Sequence, residues 1–178
     1  MNDLTDRIQF RPVEQEDLET LRKYVNDPSI MQFSSPYRQI SRREQQEWYE
    51  SLQGEKSKYV LAIIDPEKDL AIGIVGLYNI HSIHRNAQFR IRIGDQKYHR
   101  KGIGTMATQY MVDYAFTQLH LRRVWLQVFE NNDIAISLYE KVGFVKEGLL
   151  RKAAYINGQN LNVIIMGILM EEWSARQQ

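Results

Sequence analysis

Apolar and polar residues follow two periods along this chain, and each period predicts one kind of element. Where apolar residues alternate with polar ones, or form short runs between turn residues, the pattern is typical of β-strands. Seven such segments occur, at residues 7–11, 59–64, 71–80, 87–93, 124–129, 145–156 and 159–169. Apolar residues at helical spacing predict four helices, at residues 14–25, 42–53, 102–119 and 132–142.

The order of these elements predicts an α+β fold with a mixed, mostly antiparallel central sheet of about seven strands, flanked by about four helices. The three strands in the middle of the chain are joined by short polar turns, as in an antiparallel meander. The fifth strand follows a helix, so we expect it to lie parallel to the strand before that helix. Asn157-Gly158 predicts a tight hairpin between the last two strands. We interpret residues 1–178 as a single domain and expect the polar tail from Met170 to fray.

Composition and charge narrow the classes of function. The chain has 178 residues, of which 43% are hydrophobic, and a formal net charge of +1. Such a chain lacks the basic excess of a nucleic-acid-binding protein. The absence of cysteine excludes disulfides, thiolate metal sites and a cysteine nucleophile. With no signal-peptide pattern and no apolar run of the ~18 residues that a membrane span requires, we expect a cytoplasmic protein without a membrane, nucleic-acid or metal partner.

A basic segment with two glycines, residues 97–105, lies between a strand and the most periodic helix of the chain. Glycines let backbone N–H groups approach a ligand, and a helix N-terminus carries a partial positive charge. The segment therefore predicts an anion site that fits a pyrophosphate. The alternative is a turn that leads into a buried helix, with its cations solvated. The segment is not a Walker loop, which needs GxxxxGK, nor a dinucleotide fingerprint, which needs a third glycine.

Two motifs extend this interpretation. The run His99-Arg100-Lys101-Gly102-Ile103-Gly104 resembles the pyrophosphate loop of the GNAT superfamily of acyl-CoA-dependent N-acetyltransferases, with His99 in place of the usual Gln or Arg. Residues 132–144, NDIAISLYEKVGF, are similar to the second acetyl-CoA motif of that superfamily. Both motifs occur in the expected order, and the resemblance covers nearly the whole chain. It implies the GNAT fold and acetyl transfer to a primary amine.

The resemblance also implies roles for individual residues. Acetyl-CoA is the implied co-substrate, and its implied binding residues are Ile91, Ile93, His99, Arg100, Lys101, Gly102, Ile103, Gly104, Thr105, Asn132, Ala135 and Lys141. Tyr139 matches the general acid that protonates the leaving CoA thiolate. From the helical pattern alone, a Tyr at this position is more often an ordinary core residue, and its place in the second motif reverses that preference. Because the chain has no cysteine, we expect direct transfer in a ternary complex rather than through an acyl-enzyme.

The base that deprotonates the acceptor amine is not identified. Relatives often carry Glu on the strand before the pyrophosphate loop, and the matching residue here is Gln88, which does not act as a base. We expect an ordered water chain to remove the proton, with His84, His81 or Glu130 near it. A backbone N–H of residues 89–93, on a splayed strand, is expected to stabilise the oxyanion.

The sequence leaves the class of acceptor open. Within the superfamily, the chain most resembles the branch of ribosomal-protein alanine acetyltransferases and bacterial spermidine acetyltransferases, which implies a protein N-terminus or a polyamine. Arg38, Arg42 and Arg43 would repel a polycation unless Glu44 and Glu47 neutralise them. An amino sugar, an antibiotic amine and a non-catalytic CoA-binding sensor are the alternatives. The resemblance implies association through the terminal strands, and Val145 to Leu169 is apolar enough for a homodimer. A hairpin that packs only on its own sheet would show the same pattern.

Overall fold

The structure, a computed structural model, describes residues 8–33 and 37–177 and contains a seven-stranded sheet. The strands lie side by side in the order β1-β2-β3-β4-β5-β7-β6. They are β1 (Gln9–Pro12), β2 (Tyr59–Asp65), β3 (Leu70–His81), β4 (Asn86–Ile93), β5 (Arg123–Phe129), β6 (Val145–Ile156) and β7 (Gln159–Leu169). The α-helices of the described residues are α1 (Leu18–Val25), α2 (Pro28–Met31), α3 (Arg42–Glu50), α4 (Ile103–Thr117), α5 (Asp133–Val142) and α6 (Met170–Arg176).

The seven predicted strands are confirmed, although Arg7 at the start of the first lies outside the described residues. The four predicted helices are confirmed as α1, α3, α4 and α5. The sequence did not predict α2, a single turn in which Asp27 accepts a hydrogen bond from the Ser29 N–H at 2.8 Å. The prediction that the tail frays is wrong, because Met170–Arg176 is helical. Trp173 anchors this helix: it is 6% exposed and its indole N–H donates to Asp113 at 3.3 Å.

Helices cover both faces of the sheet. Side chains alternate between the faces of a strand, so Leu61 and Ile63 of β2 lie on one face and Ala62 and Ile64 on the other. The first pair belongs to a large apolar cluster with α4, α5 and α6. The second pair belongs to a smaller cluster with α1 and α3. The sheet therefore separates two apolar layers, and a gap in the sheet would connect its two sides.

Such a gap lies between β4 and β5. Their parallel pairing covers only Asn86↔Arg123, Ala87↔Val124 and Gln88↔Trp125. After Gln88, β4 pairs with β3 alone as far as Ile93. From the same point, β5 continues beside β7. The predicted splay of residues 89–93 is confirmed, and main-chain groups of β4 face the gap.

Two observations bear on partners. No helix within the described residues is long and apolar enough to cross a membrane. Within residues 8–33 and 37–177, no three His, Asp or Glu side chains are grouped so that they could hold a metal ion. The cytoplasmic location and the assignment of residues 1–178 to a single domain stay predictions.

Candidate active site

A cleft of ≈ 900 Å³ opens where β4 and β5 diverge. One wall is the segment that leads into α4, and the other is the inner face of α5. The outer end is lined by Phe33 and Tyr37, before and after the undescribed residues 34–36, and by Tyr155 of β6. This volume lies within the range of ligand and cofactor sites, ~300–1,000 Å³.

The basic segment before α4 forms a concave backbone turn. Arg100 and Gly102 both have positive φ, 57° and 80°. Left-handed residues that alternate with ordinary ones turn successive N–H groups to one side, which makes a site for anions. The N–H groups of the first turn of α4 add to it, because the first residues of a helix have no intrahelical acceptor. A ring nitrogen of His99 lies 3.0 Å from the Ile93 carbonyl oxygen and so connects the turn to the end of β4.

The structure brings most of the predicted site residues together. Of the thirteen, those that line the cleft are Ile91, Ile93, His99, Arg100, Gly102, Gly104, Thr105, Asn132, Ala135, Tyr139 and Lys141. Two have side chains elsewhere. Ile103 is fully buried in the core, and the Lys101 ammonium lies 5.9 Å from the centre of the Tyr98 ring. Their side chains are therefore not placed to contact a ligand in the cleft.

The two motifs are packed tightly against each other. A Cβ atom at Gly104 of α4 would lie 2.7 Å from Cδ1 of Leu138 on α5, closer than such atoms approach. Asn132 begins α5, where its side-chain oxygen accepts a hydrogen bond from the Ala135 N–H at 3.2 Å. Gly143, with φ 119°, ends the same helix. These features fix the position of α5 beside the pyrophosphate-sized turn.

Tyr139 projects from α5 into the aromatic wall of the cleft. It is 7% exposed, and its ring contacts those of Phe89, at a centroid distance of 6.1 Å, and Phe144, at 5.8 Å. Burial raises the pKa of the phenol, because the phenolate would lose its hydration. Tyr139 therefore stays protonated at neutral pH and is able to donate a proton to a group in the cleft.

The structure does not bring the predicted base candidates to the cleft. His81 and His84 stack on each other at 4.2 Å in the exposed turn after β3. The Glu130 carboxylate accepts hydrogen bonds from the backbone and side-chain N–H groups of Asn162, at 2.8 and 2.9 Å. None of these three residues lines the cleft. The exposed turn holds His81 and His84 away from the cleft, and the contacts with Asn162 do the same for Glu130.

Gln88 is at the site but is fully engaged. It is 6% exposed, and its side-chain oxygen accepts from Asn79 at 3.3 Å and from the Arg90 guanidinium at 2.8 Å. An amide in this setting positions Arg90 and takes no proton.

A second pocket, of ≈ 520 Å³, lies on the other face of β4, between the sheet and helices α1 and α3. Arg90, Ile91 and Arg92 line both this pocket and the cleft. A group held in the pocket is therefore separated from the cleft only by the free edge of β4. The sequence analysis did not predict this pocket, although charged residues at alternate positions of an inner strand are a signal for one.

The arginines near α3 are each neutralised by a carboxylate. Arg38 pairs with Glu44 at 2.6 Å, Arg43 with Glu47 at 2.7 Å and Arg42 with Glu19 at 3.5 Å. Hydrogen bonds from Ser41, together with Arg38, lower the pKa of Glu44 to about 2. A polycationic acceptor requires that these arginines be neutralised. Glu44 and Glu47 meet this condition for Arg38 and Arg43, and Glu19 meets it for Arg42.

Comparison with known proteins defines the class. Residues 7–145 match the acetyltransferase (GNAT) domain family. The chain belongs to this family, and it is an N-acetyltransferase that uses acetyl-CoA. The expected fold, enzyme class and co-substrate are thereby confirmed.

The chain is similar to spermidine acetyltransferases over nearly their whole length and to another acetyltransferase over a shorter part. Spermidine N(1)-acetyltransferase of Escherichia coli (strain K12) is 34% identical, over 96% of this chain and 90% of that protein. The putative ribosomal N-acetyltransferase YdaF of Bacillus subtilis is 30% identical over 59% of this chain and 57% of that protein. A crystal structure of spermidine N-acetyltransferase from Vibrio cholerae with CoA and spermine superimposes with a TM-score of 0.86, at 32% identity, over 95% of this chain and 99% of that one.

Proposed function

We propose that this enzyme transfers an acetyl group directly to a small primary amine, with Tyr139 as the general acid. The observation that supports this proposal is that the cleft and the second pocket meet at the free edge of β4. The larger cleft has the anion-binding turn and Tyr139, and the smaller pocket opens on the opposite side of β4. Acetyl-CoA in the cleft and an amine in the pocket would approach each other across residues 89–92.

Protein groups would stabilise the oxyanion and protonate the thiolate, and water would take the proton of the amine. The nitrogen lone pair of the neutral amine forms the new C–N bond, and the carbonyl π electrons move to oxygen. A main-chain N–H on the open edge of β4 donates to this oxyanion. When the C–S bond breaks, the electron pair leaves with sulfur, and Tyr139 gives its proton to the thiolate. The proton lost by the nitrogen goes to water in the open pocket, which in the end reprotonates Tyr139.

The co-substrate would be held by the residues that line the cleft. The turn from His99 to Gly104 would receive the pyrophosphate through backbone N–H groups, with Arg100 as a positively charged side chain beside it. Thr105 continues the same surface into the first turn of α4. Asn132, Ala135 and Lys141 would contact the ligand from the opposite wall.

The relatives favour a polyamine as the first acceptor to test. Spermidine acetyltransferases cover nearly the whole chain, whereas the match to the putative ribosomal enzyme covers about three fifths of it. A protein N-terminus is therefore the less supported acceptor.

A homodimer stays a prediction. The residues that favour it are Val145 and Leu149, both 53% exposed on the edge strand β6.

Replacing Tyr139 by Phe tests the role of the acid. We expect kcat to fall about 100- to 10,000-fold, the range of a lost general acid, while the Kd for acetyl-CoA changes little because the ring remains. Release of the CoA thiol measures the first quantity and calorimetry the second. Tyr110→Phe is the matched control, since Tyr110 is partly exposed on α4 and does not line the cleft. Unchanged turnover in Tyr139→Phe would remove Tyr139 from the mechanism.

A further inference from the structure

Two arginines of β4 have no carboxylate partner in the described residues. Arg90 and Arg92 alternate along the strand and therefore share a face with Gln88. The Arg90 guanidinium donates to the Gln88 amide at 2.8 Å and lies 4.7 Å from the centre of the Tyr78 ring. Neither contact carries a negative charge, and no salt bridge to Arg90 or Arg92 is formed by the residues that the structure describes.

Arg92 is the more unusual of the two. Part of its side chain reaches the pocket, but its Nε atom is enclosed and has no hydrogen-bond partner among the described residues. A buried donor without an acceptor is destabilising, and a buried cation without a counter-charge is more so. Burial lowers the pKa of the Arg92 guanidinium; the neighbouring charge of Arg90 acts in the same direction, and Tyr78 opposes it. No carboxylate of the described residues pairs with Arg92 to offset these costs.

The carboxylates of the pocket are already used. Glu44 is bound by Arg38 and by Ser41 at the start of α3, and Glu47 is bound by Arg43. The remaining charged groups of the lining are cations. The pocket therefore has an excess of positive charge on the side formed by β4, where an acceptor would be placed for transfer.

We propose that Arg92, with Arg90 beside it, forms a subsite for a carboxylate or phosphate group carried by the acceptor amine. The inference rests on the proposed acetyl transfer and narrows its acceptor. A guanidinium presents parallel N–H donors that match both anions, and the part of the Arg92 side chain that lines the pocket is placed to meet one. An amine that carries an anionic group would fit this pocket better than a polyamine of equal length, which two unpaired arginines repel.

Matched pairs of amines test the subsite in the unmodified enzyme. Lysine and 1,5-diaminopentane differ only by a carboxylate, and glucosamine 6-phosphate and glucosamine differ only by a phosphate. We expect the anionic member of at least one pair to have a kcat/KM about tenfold to a hundredfold higher, the value of a hydrogen bond to a charged group. Spermidine is included as the acceptor suggested by the relatives. Equal rates within both pairs, or a preference for spermidine and diaminopentane, would overturn the subsite.

Substitution assigns the preference to one residue. In Arg92→Gln the ratio of kcat/KM for the anionic member to kcat/KM for the member without the anion should fall to about one. Arg122→Gln is the control, because Arg122 is exposed and lines neither site. Thermal melting and acetyl-CoA binding show that each variant is folded. A preference that survives in Arg92→Gln contradicts the assignment.

Two further results separate the subsite from the proposed function. If none of these amines releases CoA, the proposed function fails, and the subsite is still tested by calorimetry with inorganic phosphate on enzyme saturated with CoA, which fills the turn before α4. Phosphate binding to the wild type should then be lost in Arg92→Gln. If phosphate binds in this way but neither pair shows a preference, the pocket takes a free anion and the proposal about the acceptor is wrong.

Discussion

Gln88 illustrates what a single residue determines in this site. Its amide is held by Asn79 and Arg90, so it does not remove a proton from the acceptor. Other ionisable side chains of the two sites are also engaged: His99 with the Ile93 carbonyl, and the Glu44 carboxylate with Arg38 and the Ser41 N–H. The acceptor must therefore reach the acetyl group as the neutral amine that solution provides.

This absence of a placed base predicts the pH dependence of the reaction. For an amine with a pKa of ~10, kcat/KM should rise about tenfold per pH unit from about pH 6 to 9, because the neutral fraction rises at that rate. No falling limb is expected in this window, since burial raises the pKa of Tyr139 and keeps the acid protonated. Thiol release at constant ionic strength measures the profile.

The control is a peptide α-amine, whose pKa of ~8 should move the plateau down to about pH 8. A plateau near pH 7 with both amines would instead show that the enzyme supplies a base.

For individual residues, two sequence motifs were enough to predict most of the cleft lining, but no motif predicted the pocket between β4 and helices α1 and α3. Motif residues follow one another in the chain, whereas Arg92, Tyr78 and Glu44 come from β4, β3 and α3. Whether a charged residue has a partner depends on which elements pack together, and that information is not present in a short run of residues.

Among the elements, α4 depends on the turn that precedes it. Gly102 begins the helix with φ 80°, a conformation that costs an L-residue about 1–2 kcal/mol. The same angle region is needed at Gly54, φ 73°, in the loop after α3, where a Cβ atom would meet nothing within 4 Å. Comparing the same substitution at the two glycines therefore distinguishes the cost of backbone strain from an effect on ligand binding.

Gly102→Ala and Gly54→Ala should each lower the free energy of unfolding by about 1–2 kcal/mol. Only Gly102→Ala should weaken acetyl-CoA binding, by about tenfold, because it displaces N–H groups that would face the pyrophosphate. Urea denaturation and calorimetry measure the two effects. An unaltered Kd in Gly102→Ala would show that this turn does not bind the ligand.

The elements that the sequence missed are short and depend on tertiary contacts. The helix α2 has four residues, and a 3-10 turn at Gln96–Tyr98 has three. Isolated helices of this length are not stable. Here the Tyr98 hydroxyl donates a hydrogen bond to Asp65, at the end of β2, at 2.6 Å. Long periodic segments such as α4, in contrast, were predicted because their own pattern specifies them.

For the whole molecule, α6 joins the helices that carry the two motifs. Trp173 packs in the large cluster and donates to Asp113 of α4. Arg176 lies against Gly143 at the end of α5, where a Cβ atom would come 2.6 Å from its Nε. The last helix therefore holds α4 and α5 in one arrangement around the cleft.

Trp173→Ala should lower the free energy of unfolding by about 3–5 kcal/mol, the cost of a large core truncation. Acetyl-CoA at 100 times its Kd should restore about 2.7 kcal/mol, because it binds only the folded form. Glu171→Ala, which removes one exposed surface pair with Arg122, should change stability by less than about 1 kcal/mol. Urea denaturation of the three proteins measures these differences. A small effect of Trp173→Ala would mean that α6 is not needed to hold the fold.

The gap between β4 and β5 has a consequence for how this enzyme diverges from its relatives. The groups that face the gap belong to the main chain, and every amino acid except proline provides the same N–H and C=O. Substitutions therefore leave these main-chain groups of β4 almost unchanged, even between proteins that are only 34% identical. Side chains at the same edge, such as Arg90 and Arg92, do change when a residue is substituted. A few substitutions can therefore alter which amine is bound and leave the acetyl-transfer chemistry intact.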